Sequence, residues 1–432
     1  MDKPTHEKQS DSGVTFRLSS THLIVLGLLA LGTVWGGYLL SKPKSQPAPI
    51  AQPGATPLAV PTPLLNGNAN APWGHLEAIY FNIERPDSFL TIADPFTEKT
   101  RWVFEKQSRA EIEVLFEKAG LSESQKSALL NPAHCKETAG GLEIWPDHRL
   151  LLEINTTARE TIYPVLSRSA LNPRHHSPFS FLERWMADRF HTNSLSPETI
   201  GIIRNLLYRQ GEAICFADLP ALFDVVTDPQ ERKNVVKSLS RSAALIVNLR
   251  VTLETELGSI INYWSRGWHA KDRAAFIRSL ARSSSPSGNA VDIIHLLPPL
   301  ARERLNTYPY PQLGSNDDKF NCYWTALNFA NAIPDPALSH EHAALDKLKS
   351  DYYPITDKPA FGDLICLVNP KGEPFHMANY IADEIVFTKN GYHHHNPWIL
   401  TTLTDMISHY PAHQPCSALI YRKKDQPPVP SN

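Results

Sequence analysis

The feature that most constrains this 432-residue chain is an uncharged apolar run, LIVLGLLALGTVWGGYLL, at residues 23–40. A helix rises about 1.5 Å per residue, so a run of this length just reaches across the roughly 30 Å hydrocarbon core of a bilayer. Trp35 and Tyr38 lie near its C-terminal end, where aromatic side chains favour the membrane interface. We therefore predict a single membrane-spanning helix over residues 23–40.

A cleaved signal peptide is the alternative interpretation of this run. The run is long for a signal peptide, and no clean Ala-x-Ala cleavage site follows it, so the pattern favours an uncleaved helix. Residues 1–22 would then form a cytoplasmic tail, because a short tail ahead of a large body usually stays inside. The lysines and arginines flanking the helix are too evenly divided to fix the orientation by themselves. The predicted protein is single-pass, with most of the chain extracytoplasmic, or periplasmic in a Gram-negative cell.

The segment after the apolar run, residues 41–73, is rich in proline and alanine and contains KPKSQPAPIAQPGATPLAVPTP. It has no periodic apolar face and cannot build a core, so we predict an extended linker. The net charge of the whole chain is −2, and the sequence contains no stripe of basic residues with interleaved aromatic residues. Both features argue against a nucleic-acid partner. The five cysteines include no Cys-x-x-Cys pair, so a structural zinc site has no sequence support.

Residues 74–304 are predicted to form a mixed, mainly helical region of unknown role. HLEAIYFNIE, TRWVFEK and residues 244–251 have the composition of strands, and GLEIWPDHRLLLEI is interpreted as a strand pair. Ser108 with Glu111 is a capping box, and Ser196-Pro197 and Asp228-Pro229 each place a capping residue before a proline at the first helical position.

Residues 305–425 carry the pattern with most chemical content. In FNCYWTALNFANAIPDP the apolar spacing predicts a helix that begins at or just after Cys322. The free N–H groups at a helix N-terminus stabilise a thiolate and can help to bind an oxyanion. Three strands are predicted farther along, at residues 363–368, 376–382 and 384–389, and His376 begins the middle one. A thiolate–imidazolium pair needs such a cysteine and histidine to meet in space.

These motifs resemble the NlpC/P60 group of papain-like cysteine peptidases, which act on the cell wall. Cys322 falls at the family's nucleophile, Gly362-Asp363-Leu364 at its strand opening, and His376-Met377-Ala378-Asn379-Tyr380 at its histidine strand. Two features depart from the family pattern: Asn321 stands where Asp is usual, and Tyr323-Trp324 replace Ser-Gly. The bulky pair would reshape the cleft.

The resemblance implies a third residue that orients the imidazole. Thr388 lies at the family's usual spacing, whereas Asn390, two residues on, has the same strand parity and an amide oxygen suited to an imidazole N–H. Asn390 is favoured narrowly, although Asn390-Gly391 is also a turn signal. In the implied mechanism Cys322 attacks an amide bond, for example in a cell-wall peptide, and His376 acts first as base and then as acid.

The predicted fold class is α+β, with an N-terminal membrane helix, a mostly helical middle region and a papain-like C-terminal domain at residues 305–425, followed by a disordered tail at 426–432. No metal or organic cofactor is implied; the expected partners are the membrane and a cell-wall peptide. Two rival functions stay open: a non-catalytic binding or scaffold module of the cell envelope, and acyl transfer or ester cleavage at the same thiol.

Overall fold

The computed structural model describes residues 71–426, apart from 94–95, 191–193, 267–269, 284–287, 310–319, 357 and 392–394. The predicted tail at 1–22, the helix at 23–40, nearly all of the linker and residues 427–432 lie outside this part. Within it, no helix has the length and apolarity needed to cross a bilayer. The predicted fold class, with its N-terminal membrane helix, is therefore corrected: the described residues are a mixed arrangement of helices and several sheets.

The C-terminal part is built on one six-stranded antiparallel sheet in the order β10-β15-β11-β12-β13-β14. The strands are β10 (Tyr352–Ile355), β11 (Leu364–Val368), β12 (Pro374–Ala382), β13 (Ile385–Lys389), β14 (Trp398–Thr402) and β15 (Ser417–Lys423). The three strands predicted around His376 are thus confirmed to within two residues. β11, β13 and β14 are buried along their whole length, as expected for strands covered on both faces.

A different helix covers each face of this sheet. On one face lies α13 (Cys322–Leu327), where the side-chain amide of Asn379 donates to the Ala326 carbonyl at 3.0 Å and the Phe329 ring lies 5.7 Å from that of Phe387. On the other lies α15 (Leu403–Ser408), whose Met406 packs in one apolar cluster with Ala378. We call these the α13 face and the α15 face.

Three further three-stranded sheets occupy the middle of the chain. Their orders are β1-β8-β9, β2-β4-β3 and β5-β7-β6, and all pairings are antiparallel. The strands are β1 (His75–Ile83), β2 (Trp102–Glu105), β3 (Cys135–Thr138), β4 (Gly141–Ile144), β5 (Phe179–Leu182), β6 (Tyr208–Gln210), β7 (Ala213–Phe216), β8 (Ser242–Val251) and β9 (Asn289–Asp292). The region is therefore mixed: among its described residues nine strands alternate with the helices, and the helices hold more residues than the strands.

The remaining helices surround these sheets. They are α1 (Arg109–Lys118), α2 (Glu123–Leu129), α3 (His148–Glu153), α4 (Thr156–Leu166), α5 (Pro173–His176), α6 (Met186–Phe190), α7 (Pro197–Leu206), α8 (Leu219–Val225), α9 (Pro229–Ser240), α10 (Leu257–Trp264), α11 (Ala270–Arg282), α12 (Pro299–Arg304) and α14 (Glu341–Asp351). Single 3-10 turns lie at Asp87–Phe89, Glu183–Trp185, Ile293–Leu296, Pro336–Ser339 and Pro411–His413.

The predicted helix starts are confirmed, and one predicted strand is wrong. Ser108, Ser196 and Asp228 each accept a hydrogen bond from a backbone N–H in the first turn of the helix that follows. Residues 141–154 do not form a strand pair. After β4 the Asp147 side chain accepts from the backbone N–H of Arg149 at 2.8 Å and starts α3, so this cap overrides the strand-like composition of the second half.

The middle region and the C-terminal sheet share one apolar core and are joined by a buried polar cluster around Asp405. The carboxylate of Asp405 accepts from the Tyr80 hydroxyl at 2.8 Å, the Trp185 indole at 2.7 Å and the Thr402 hydroxyl at 2.7 Å. The Arg184 guanidinium adds an ion pair at 2.8 Å. Because Asp405 lies in the first turn of α15, these bonds fix that helix against β1 and the turn after β5.

Candidate functional site

Cys322 is the first residue of α13, which confirms the predicted helix start. The Asn321 side chain caps the helix by accepting from the backbone N–H of Trp324 at 2.9 Å, so Asn at the position where Asp is usual in the resembled family serves as the cap. The Cys322 side chain is largely buried, and it lines a cleft of about 830 Å³. A cleft of that volume falls in the roughly 300–1,000 Å³ range of small-molecule sites.

The thiol of Cys322 lies among groups with opposing effects on its ionisation. Burial raises the pKa of the Cys322 thiol, which disfavours a resting thiolate. The backbone N–H of Met377, the charge of Lys389 and the backbone N–H of Tyr323 each lower this pKa, although burial has the largest effect. The cysteine is therefore a protonated thiol in a pocket that already holds donors for a developing negative charge.

His376 has a bonding partner at each ring nitrogen. Nε2 lies 2.9 Å from the Thr388 hydroxyl, and Nδ1 lies 2.8 Å from the Tyr410 hydroxyl. The Tyr410 oxygen also accepts from the Gly391 backbone N–H at 3.1 Å, so we assign Tyr410 as the donor to Nδ1 and Nε2–H as the donor to Thr388. Complete burial lowers the pKa of His376 to about 3, and the imidazole is neutral at physiological pH.

Cys322 and His376 belong to opposite faces of the sheet. Successive side chains of a strand point to opposite faces. Met377 packs with Ala326 and Leu327 of α13, so its neighbour His376 points to the α15 face, where Tyr410 meets it. The structure thus brings His376 together with Thr388 and with Tyr410, which also lines the cleft of Cys322, while the helix that carries Cys322 covers the other face of the sheet.

The two candidates for the orienting residue are separated by geometry. Thr388 bonds the His376 ring, whereas the side-chain oxygen of Asn390 is buried and has no hydrogen-bond partner in the described part of the chain. Asn390 instead lines the cleft beside Cys322. The group on the imidazole is therefore Thr388, the residue at the family's usual spacing, and not the narrowly favoured Asn390.

Lys389 is a candidate site residue that the sequence analysis did not single out. It is directly opposite Trp398 in the β13–β14 ladder, and the Trp398 indole donates to the Thr325 hydroxyl of α13 at 2.9 Å. Residues opposite each other in a ladder share a face, so Lys389 lies on the α13 face with Cys322. Its side chain is fully buried, and its ammonium donates to the Gly391 carbonyl at 3.1 Å.

Burial lowers the pKa of Lys389 to about 7, and the charge of Cys322 opposes this shift. A lysine with that pKa is partly neutral at physiological pH and can accept a proton. The signal in the sequence was a lysine at the end of IVFTK, which begins with three apolar residues, because a charged side chain on a buried strand is unusual.

The middle region lines part of the cleft that contains Cys322. Arg174, Ser177, Phe179 and Arg241 line it from that side, and Tyr410 lines it from the C-terminal part. The middle region therefore contributes to the candidate site.

No protein-family model, curated protein or solved structure matches this chain. The resemblance to NlpC/P60 peptidases accordingly stays a prediction that rests on the order and spacing of short motifs, and the function is argued from the site.

Proposed function

We propose that this protein is a thiol hydrolase of amide bonds, in which Cys322 is the nucleophile and Lys389 accepts its proton. The observation that carries the proposal is the position of Cys322 at the start of α13, open to the cleft and on the sheet face that also bears Lys389. A buried amine that serves as general base to a nearby nucleophile is a known variant of the triad arrangement.

The steps balance without a cofactor. The thiol proton passes to the neutral amine of Lys389 as the Cys322 sulfur bonds to the acyl carbon of the substrate. The backbone N–H groups at the start of α13 stabilise the negative charge that develops. The C–N bond then breaks, the leaving amine takes the proton from Lys389, and water hydrolyses the thioester to release the acid. A peptide of the cell wall is one substrate with such a bond.

A second candidate function is a binding module without catalysis. Two observations favour it: both nitrogens of His376 are already bonded, and burial raises the pKa of the Cys322 thiol. In that case the cleft would bind a ligand while the cysteine stays inert.

The test is the pH dependence of iodoacetamide alkylation at Cys322, read by mass spectrometry of its peptide in the full-length chain. We expect a rate that rises with an inflection near pH 7, because loss of the Lys389 proton supplies the base. Lys389→Met should abolish that inflection, and His376→Gln should leave it in place. Cys416, which is half-buried, provides an internal control in every sample.

Three outcomes separate the mechanisms. An inflection lost only in Lys389→Met supports the proposal. If the inflection is lost only in His376→Gln, the result supports instead the thiolate–imidazolium pair that the motif order predicts. An ordinary thiol profile in all three proteins contradicts the hydrolase and leaves the binding module.

A further inference from the structure

The cleft contains an arginine, Arg85, that has no carboxylate partner among the described residues. Arg85 lines the same cleft as Cys322, and its Nε is buried with no hydrogen-bond partner among the described residues. Its guanidinium carbon lies 6.0 Å from the centroid of the Phe179 ring, and the Tyr308 phenol also acts on its charge. A guanidinium carries five donors, and a ring face satisfies none of them fully.

The two other arginines in the cleft have carboxylate partners. Nε of Arg174 donates to Glu98 at 2.7 Å, and Nε of Arg241 donates to Glu84 at 2.7 Å. Arg85 follows Glu84 directly in the chain, yet that carboxylate is engaged by Arg241. The cleft thus holds one cation whose charge no described carboxylate pairs.

An unpaired, half-buried cation is unfavourable for the fold, because burial removes water and nothing replaces it. Burial lowers the pKa of Arg85 to about 10, so the guanidinium still carries its charge at physiological pH. The charged guanidinium of Arg85 in the cleft is therefore suited to bind a ligand that carries an anionic group. The planar fork of arginine matches the two oxygens of a carboxylate.

We infer that Arg85 binds a carboxylate of the molecule that occupies the cleft. On the proposed function, that molecule is an acyl compound or peptide with a free carboxylate away from the bond that Cys322 attacks. The binding role of Arg85 does not depend on the reactivity of the thiol; only the identification of the ligand as a substrate rests on the proposed function.

The experiment measures equilibrium binding of two matched probes to the full-length chain by ligand-observed NMR titration. N-acetylglycine carries a carboxylate, and N-acetylglycinamide replaces it with a neutral amide of nearly the same shape. We expect the carboxylate to bind about tenfold more tightly, the effect of one unscreened charge-assisted contact. Arg85→Gln should bring the ratio of the two dissociation constants close to one.

Three controls accompany this comparison. The double variant Arg174→Gln, Glu98→Gln removes a paired arginine of the same cleft together with its carboxylate and should leave the ratio unchanged. Arg85→Lys keeps the charge and should retain part of the preference, which covers the case in which Arg85→Gln does not fold. The titration is repeated in Cys322→Ser, where the preference should persist, so an inert thiol and a failed anion site give different results. Equal affinities in the wild type, or the same ratio in Arg85→Gln as in the wild type, would overturn the inference.

Discussion

Each face of the C-terminal sheet holds one buried base, and the two bases differ in their hydrogen-bond partners and in their pKa values. On the α15 face, His376 is bonded at both nitrogens, to Thr388 and Tyr410. On the α13 face, Lys389 donates to the Gly391 carbonyl and lies on the side covered by the helix of Cys322. Both bases have lowered pKa values for the same cause, burial, yet that of His376 lies near 3 and that of Lys389 near 7.

The difference indicates which base is available for chemistry. A general base works best when its pKa lies near the operating pH and when its lone pair is free to take a proton. Lys389 meets the first condition, whereas His376 gives its acceptor nitrogen to Tyr410 and would resist protonation at neutral pH. The bonds of His376 therefore suit it to holding α15 and the sheet together, and the pKa of Lys389 suits it to the base role in the proposed reaction.

The largest effect on stability is expected at Asp405, which joins α15 to the middle region through hydrogen bonds. Asp405→Ala removes the acceptor of the buried Tyr80 hydroxyl and the Trp185 indole, and leaves both donors unsatisfied. We expect a loss of about 3–5 kcal/mol in the free energy of unfolding, measured by denaturant titration.

The control for this prediction is Arg184→Ala. The Arg184 side chain is 41% exposed, so removing it should cost at most about 1 kcal/mol. Equal costs for the two variants would mean that the cluster is held by its exposed ion pair and that α15 is not fastened through Asp405.

Lys389→Met should stabilise the protein and, on the proposed function, abolish the thiol chemistry. Lys389 has a lowered pKa in the folded state, so between about pH 7 and its unfolded pKa of roughly 10.4 the unfolded chain binds the extra proton. Stability from this residue therefore rises with pH over that window and is lost as pH falls toward 7, by up to about 1.4 kcal/mol per pH unit.

Methionine fills a similar volume without a charge, so we expect Lys389→Met to gain about 1–3 kcal/mol at pH 7.5 and to flatten the slope between pH 7 and 9.5. Denaturant titrations at several pH values measure both quantities. An unchanged slope would show that Lys389 keeps its charge in the folded state and is not the base.

The sequence predicted the order of the C-terminal helices and strands, but not which face of the sheet each helix covers. The buried apolar runs predict β11 to β13, and the polar cap at Asn321 accompanies the start of α13. Which face of a sheet a helix covers depends on contacts such as those of Met377 and Trp398, and these join elements far apart in the chain. A motif that matches in order and spacing can therefore place His376 on the face away from the cysteine.

In the middle region, the helix starts could be predicted from the sequence, but the short strands and their pairing could not. Short strands such as β6 and β7 are only three or four residues long, and their pairing depends on tertiary neighbours. The helix caps at Ser108 and Asp228 were predictable because they are local, whereas the contribution of this region to the cleft was not. The lack of a carboxylate partner for Arg85 among the described residues likewise becomes evident only from the bond between Glu84 and Arg241.

His376→Gln tests the structural role of the histidine. Glutamine cannot bond Thr388 and Tyr410 with the same geometry, so we expect a loss of about 2–3 kcal/mol at pH 7. His376 also has a lowered pKa in the folded state, so its neutral form contributes stability that is lost as pH falls from about 6.5 toward 3. The variant should lose stability less steeply with acid than the wild type, by up to about 1.4 kcal/mol per pH unit.

Thermal unfolding at pH 7 and pH 5 checks the sign of this difference. His175, which is buried in the middle region with a pKa lowered to about 4, stays in both proteins and supplies the same background slope. Identical acid sensitivity in the two proteins would mean that His376 titrates near its ordinary pKa and is open to proton transfer, which would remove the contrast between the faces.

Among the changes at Lys389, His376 and Thr388, Thr388→Val has the smallest expected effect on stability. The change keeps the shape of the side chain and removes the acceptor of Nε2–H, so the cost should be about 1–2 kcal/mol. Thr388→Ser keeps the hydroxyl, and nitrogen chemical shifts of the ring should then report the same tautomer as the wild type, whereas Thr388→Val should shift the proton between the two nitrogens. If His376 serves only to hold the α15 face, neither variant changes the alkylation rate at Cys322 beyond about twofold. A large drop in Thr388→Val alone would mean that the orientation of this ring reaches the thiol through the sheet, and the two faces would then act as one site.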